Sequence, residues 1–136
     1  MTPTRFRTVI VDGLNLFYRE AGPTDAPSVL LLHGFPSSSR MWQPMIDRLC
    51  DRFHLVAPDY PGFGHSDAPT ADDFDYTFDH LADVIEEFTA AVALQRYSLV
   101  VQDYGGPVGM RLALKRPERI ESLIVHNAVC HEDGLG

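Results

Sequence analysis

Leu99-Val100-Val101-Gln102-Asp103-Tyr104-Gly105-Gly106-Pro107 is the most informative segment of this chain. Tyr97 to Gln102 has the length and apolar content of a buried strand, and Asp103 follows at once. Helical spacing starts within one or two residues and runs to about Arg116, where Pro117 stops it. So sharp a passage from strand to helix crowds backbone against side chains, and Gly105 and Gly106 relieve the crowding. A turn of this kind holds one side chain up at the end of a sheet. In its serine form, Gly-x-Ser-x-Gly, that side chain is a nucleophile. Here the central residue is Asp103, in Val101-Gln102-Asp103-Tyr104-Gly105. Ser66 comes nearest to the serine form, after Gly64-His65, but Ala68 follows it and no strand leads into it. A plainer role for Asp103 stays open, because an aspartate at the start of a helix is an ordinary N-cap.

Outward from this turn, the chain alternates. Arg5 to Val11 reads as a strand, Asp12-Gly13 as a two-residue hairpin turn, and Leu14 to Arg19 as the returning strand. Ser28 to Leu32 is a continuous apolar run, as in a strand buried on both faces. It ends in His33-Gly34-Phe35-Pro36. Ser39 to Cys50 has helical spacing, with Met41, Trp42, Met45, Ile46 and Leu49 on one face. Phe53 to Ala57 is a further strand, and Pro58 to Asp67 is irregular. Tyr76 to Leu94 predicts the longest helix, through Leu81, Val84, Ile85, Phe88 and Val92; Ile120 to Asn127 is a last strand. A hairpin followed by strands alternating with helices implies one α/β domain over 1–136, a mostly parallel sheet with helices on both faces. Ligands of such sheets bind at the carboxyl ends of the strands, which here carry the loops at His33, Asp59 and Asp103.

Composition narrows the function. The chain has 136 residues, 45% hydrophobic and 22% charged, as in ordinary globular domains. Eleven Lys and Arg against nineteen Asp and Glu leave a net charge of −8, which argues against a nucleic-acid partner. The acids cluster between Asp67 and Asp83 and read as a solvated loop and helix start. No run approaches the ~18 apolar residues of a membrane span. Cys50 and Cys130 form no CxxC pair or metal-type cluster, and Met1-Thr2-Pro3-Thr4-Arg5 leads into no signal-peptide core. Reduced thiols and a cytoplasmic setting are expected, with no metal and no organic cofactor.

A carboxylate at a helix N-terminus is stabilised as the anion, so Asp103 needs no base to activate it, unlike serine. It attacks amides poorly. Toward a saturated carbon bearing a halide, or a strained epoxide, it displaces in line and forms an alkyl-enzyme ester. Water activated by a histidine then hydrolyses the ester. The oxyanion of that second step needs backbone N–H donors, for which the amides of Phe35 and Tyr104 stand in place. Gly34 lets the backbone come close, and His33, Gly34, Pro36 and Trp42 are expected around the substrate pocket. Packing and structural hydrogen bonding is the stronger expectation for His33, as core is for Trp42. The glycine-rich Asp59 to Ser66 segment lacks a phosphate-binding Lys and reads as a loop bordering the pocket.

On Val101 to Gly106, His33-Gly34-Phe35-Pro36 and Gly62-Phe63-Gly64-His65-Ser66, the chain resembles the α/β-hydrolase superfamily over nearly its whole length. It looks like the aspartate-nucleophile branch of haloalkane dehalogenases and epoxide hydrolases. The resemblance implies Asp103 as nucleophile, and a small-molecule substrate with water as the second one. It departs at Tyr104, where the dehalogenases usually carry a halide-holding Trp, and at Phe35, where they commonly carry Asn. The resemblance also implies a helical cap, two more strands, and a catalytic histidine with its acid, none matched here. The chain therefore reads as the N-terminal half of such an enzyme. None of its six histidines matches the family's catalytic position; His126 and His131 read as bystanders. The alternative expectation is a non-catalytic binding module on the same fold. A last strand left unpaired would favour self-association through the sheet edge.

Overall fold

The computed structural model describes residues 3–35 and 37–126. Pro36, the expected strand end at Asn127, Cys130, His131 and the last residues lie outside the described residues.

The described strands are β1 (Arg5–Val11), β2 (Leu14–Ala21), β3 (Ser28–Leu32), β4 (His54–Pro58), β5 (Tyr97–Gln102) and β6 (Ile120–His126). They form one sheet in the order β1-β2-β4-β3-β5-β6. β1 and β2 are an antiparallel hairpin from Arg5↔Glu20 to Val11↔Leu14. Its turn residues Asp12 and Gly13 take φ of 52° and 75°, the two positive values of the turn that matches strand twist. β2 is antiparallel to β4, and the remaining pairs are parallel. The α/β class and the mostly parallel sheet agree with the sequence.

Alternating residues of the central strands feed two cores. Leu30, Leu32, Leu99 and Val101 meet Ile85 and Phe88 of α2 (Phe78–Ala91), and Val108 and Leu112 of α3 (Gly105–Lys115). Val29, Leu31 and Val100 face the other way, onto Trp42, Cys50 and Ile46 of α1 (Gln43–Leu49). Helices thus cover both faces. Gly109 sets the approach of α3, because a Cβ there would stand 2.5 Å from Val101 Cγ1.

Two helices are shorter than their periodicity. Ser39 to Cys50 divides into a 3₁₀ turn (Ser39–Trp42) and α1, because Pro44 has no N–H and its ring opposes the carbonyl four residues back. The long helix starts only at Phe78, where the Thr77 hydroxyl accepts from the His80 N–H. It ends where Ala93 turns left-handed (φ 62°), with Leu94 N–H bonded to Thr89 O at 2.8 Å and Ala93 N–H to Ala90 O. This is a Schellman end closed by alanine in place of glycine.

The acidic face of α2 is not merely solvated. Asp79 pairs with Arg111, Asp83 with Lys115, and Glu86 with both Lys115 (2.9 Å) and Arg116 (2.7 Å), tying α2 to α3. Hydrogen bonds from Lys115 and Arg116 hold the Glu86 carboxyl below its usual range against the opposing effect of burial. A depressed carboxylate stabilises the fold above its unfolded-state pKa and stops doing so as the pH falls through the folded one. Glu86→Gln should therefore lower unfolding free energy by roughly 0.5–1 kcal/mol at neutral pH. The difference from wild type should fade below the ordinary glutamate value of about 4.3. Urea midpoints at low salt across that range check both points.

Candidate active site at the carboxyl ends of the strands

β3, β4 and β5 are parallel, so the segments after Leu32, Pro58 and Gln102 emerge on one edge of the sheet. The β3–β5 register, Leu32↔Val101, sets two of these exits level. Asp103 adopts φ 54°, a left-handed conformation that costs most residues about 1–2 kcal/mol and that Asp tolerates better than branched side chains. α3 begins immediately, with Tyr104 as its N-cap residue and Gly106 N–H bonded to Asp103 O at 2.9 Å.

The capping role left open for Asp103 is not the one observed. Its carboxylate reaches across to the neighbouring loop, where Oδ2 accepts the Phe35 N–H at 3.0 Å. Among the described residues Oδ1 has no partner, and the Tyr104 N–H has no acceptor. Two glycines make this proximity feasible. A Cβ on Gly34 would lie 2.4 Å from Gln102 Oε1 and 2.7 Å from Asp103 Cβ. One on Gly105 would lie 2.5 Å from Leu32 O. Both are far inside contact distance.

Phe35 and Tyr104, the neighbours of the carboxylate, are walls of a cleft of about 520 Å³. The other walls are Gly34, Tyr60, Gly62, Phe63, Ala68, Tyr76, Phe78, Leu81 and Val108. The Tyr104 ring lies 5.4 Å from both Phe35 and Phe78, centroid to centroid. Burial raises the pKa of the Tyr60 phenol and, less strongly, that of Tyr76.

The family described as the alpha/beta hydrolase fold matches residues 27–134. The chain belongs to this family. It is 42% identical over 132 residues to an uncharacterized hydrolase of Saccharomyces cerevisiae, YNR064C, covering 96% of this chain and 45% of that protein. It is 43% identical over 101 residues to haloalkane dehalogenase 2 of Mycobacterium tuberculosis, covering 74% of this chain and 35% of that one. The solved structure of haloalkane dehalogenase DbeA from Bradyrhizobium elkani superposes with a TM-score of 0.88 at 31% identity, over 93% of this chain and 43% of that one. The chain thus spans less than half the length of these relatives.

Within this candidate site, the expected residues divide. Asp103, Gly34, Phe35 and Tyr104 come together. Trp42 does not join them: it packs into the core on the opposite face of the sheet, with Ile46 and Leu31, because the 3₁₀ turn carries it toward α1. His33 is fully buried and is not a wall of the cleft. Its Nδ1 lies 2.8 Å from Gly34 O and its Nε2 3.4 Å from the Tyr60 nitrogen, while the Tyr60 hydroxyl donates to His33 O at 2.9 Å. Pro36 lies outside the described residues.

The Asp59 to Ser66 loop borders the cleft through Tyr60, Gly62 and Phe63. Its anchor is Asp59, whose fully buried carboxylate accepts the Ser39 N–H at 2.6 Å and the His65 N–H at 2.9 Å. Ser66 is held there too, donating to Asp59 O at 2.7 Å and accepting from Phe17 N–H at 2.9 Å. That engagement is consistent with its lack of an elbow. Sequence reasoning missed Asp59 as an anchor, and Tyr76, Phe78, Leu81 and Val108 as walls; no local signal separates them from loop and core residues. Because Asp103 is left-handed, Asp103→Val should cost about 1–2 kcal/mol more stability than Asp103→Asn. Chemical denaturation of the two variants measures the difference.

Proposed function

We propose that this chain carries the nucleophile of a hydrolase of the haloalkane dehalogenase and epoxide hydrolase type, and that Asp103 is that nucleophile. The observation that carries this reading is the placement of Asp103: left-handed, next to the N-cap residue Tyr104 of α3, with its carboxylate bonded to the Phe35 N–H instead of capping the helix. The carboxylate would attack a saturated carbon, forming a C–O bond as the C–halogen or epoxide C–O bond breaks. The electron pair leaves with halide, or with an alkoxide that takes up a proton. Water, giving a proton to a histidine, would then add to the ester carbonyl. The Phe35 and Tyr104 amides would stabilise the oxyanion until the alcohol leaves and Asp103 is regenerated.

The water-activating histidine and its acid belong, in this reading, to chain beyond residues 1–136, in keeping with the 45% share of the yeast hydrolase that is covered. No charged side chain is among the described walls of the cleft, which supports an uncharged, apolar substrate. No cofactor enters the scheme, and a cytoplasmic setting stays part of it. No described helix is long and apolar enough to cross a membrane. The alternative, a non-catalytic module that associates through its sheet edge, would draw on β6, where Leu123, Ile124 and Val125 are exposed.

Incubating the chain with a reactive haloalkane, and separately with an epoxide, should add one alkyl group or one whole epoxide to its intact mass. The adduct should map to Asp103, be absent from Asp103→Asn, and form without turnover. An unmodified Asp103 would remove the nucleophile assignment. Repeated turnover would remove the need for a histidine from elsewhere.

A further inference from the structure

His33 has no exposed surface, yet both of its ring nitrogens are assigned by what surrounds them. Nδ1 faces the Gly34 carbonyl at 2.8 Å, and a carbonyl only accepts. Nε2 faces the Tyr60 backbone N–H at 3.4 Å, and an N–H only donates. The proton therefore sits on Nδ1 and the lone pair on Nε2. Burial pushes the imidazole pKa down, against smaller opposing effects from the Gly34 hydrogen bond and the Asp59 charge, and so favours the neutral ring.

The Gly34 carbonyl and the Phe35 N–H belong to the same peptide plane. A trans peptide points the two in opposite directions. Drawing the carbonyl toward His33 therefore turns the N–H the other way, where Asp103 Oδ2 receives it at 3.0 Å. Position 34 has no side chain of its own to hold that plane, so its contacts do: His33 Nδ1 on the carbonyl side and Asp103 Oδ2 on the N–H side. Tyr60 holds His33 in turn, through its hydroxyl on the His33 carbonyl.

We propose that His33 is a positioning residue: as the Nδ1–H tautomer it sets the Gly34–Phe35 peptide so that the Phe35 N–H faces the Asp103 carboxylate. The consequence for chemistry rests on the reading of Asp103 as nucleophile; the geometry does not. On that reading the oriented N–H is also a donor to the oxyanion formed when water attacks the Asp103 ester. His33 touches no substrate and moves no proton.

Nitrogen-15 spectra of the unsubstituted protein test the tautomer directly. Nδ1–H with a coupling across the hydrogen bond to the Gly34 carbonyl is expected; an Nε2–H ring overturns the proposal. The second test uses two isosteres. His33→Asn places an amide donor where Nδ1 was, and His33→Gln places one where Nε2 was. In wild type, Asp103→Asn removes a charge-assisted acceptor and should move the Phe35 amide proton upfield. That shift should persist on the His33→Asn background and be lost on His33→Gln. Persistence in His33→Gln, with or without His33→Asn, means that His33 acts through Tyr60 or by filling space, and overturns the proposal. If neither variant folds, or both lose the shift, the tautomer and coupling in the unsubstituted protein decide. Alkylation of Asp103, read separately by intact mass, distinguishes a failure of the nucleophile assignment from a failure of the positioning role.

Discussion

The hydrogen bond from the Phe35 N–H to the Asp103 carboxylate joins two loops that are 68 residues apart in sequence. It exists because β3 and β5 pair in parallel with Leu32 opposite Val101, so that both strands end at one level. The close approach then depends on atoms that are missing: a side chain at position 34 would collide with Asp103 Cβ, and one at 105 with the Leu32 carbonyl. Asp103 accepts an uncommon backbone conformation in the same arrangement. Residues held in sparsely populated conformations persist where the surroundings over-determine them, and they cluster at functional sites.

A buried polar framework lies beneath the cleft. Asp59 joins the end of β4 to the start of the 3₁₀ turn and to the His65 backbone. Arg19, at 9% exposure, extends the set through Ser39 Oγ and Gln43 Oε1. Burial lowers its pKa, while the Asp59 charge opposes that change. Removing one member of such a network exposes its partner to a desolvation penalty of about 1–3 kcal/mol. Its polar atoms meet one another over short distances, which gives the loops fixed positions that apolar packing alone specifies less sharply.

Membership of the α/β-hydrolase fold family accounts for the sheet order, but the fold hosts many chemistries. What singles out this chain is local: Asp103 at the turn, Phe35 and Tyr104 beside it, and a cleft walled by aromatic and aliphatic side chains. The Phe35 and Tyr104 rings meet at 5.4 Å, tilted by 43°, and Phe78 at the start of α2 extends the same wall. The cleft wall is therefore assembled from the segments after β3 and β4 and from the starts of α2 and α3 together, and no single loop carries it.

Much of this architecture is legible in the amino-acid pattern. Strand spans at Arg5–Val11, Ser28–Leu32 and Tyr97–Gln102 follow from apolar runs bounded by Gly, Pro and Asp, and the structure reproduces them. The helix after Ser39 was less legible, since its apolar spacing continues through Pro44 while the backbone pattern does not. Element types, their alternation and the position of Asp103 at a strand-to-helix turn are readable from the chain alone, because periodicity and turn chemistry act over a few neighbouring residues. The bond from Asp103 to Phe35, which of the two cores Trp42 enters, the partners of the buried His33 and the places of Tyr76 and Phe78 in the cleft wall come from the three-dimensional arrangement. Those outcomes depend on strand register and on which helix packs over which face, and such distances between remote residues leave no trace in local pattern.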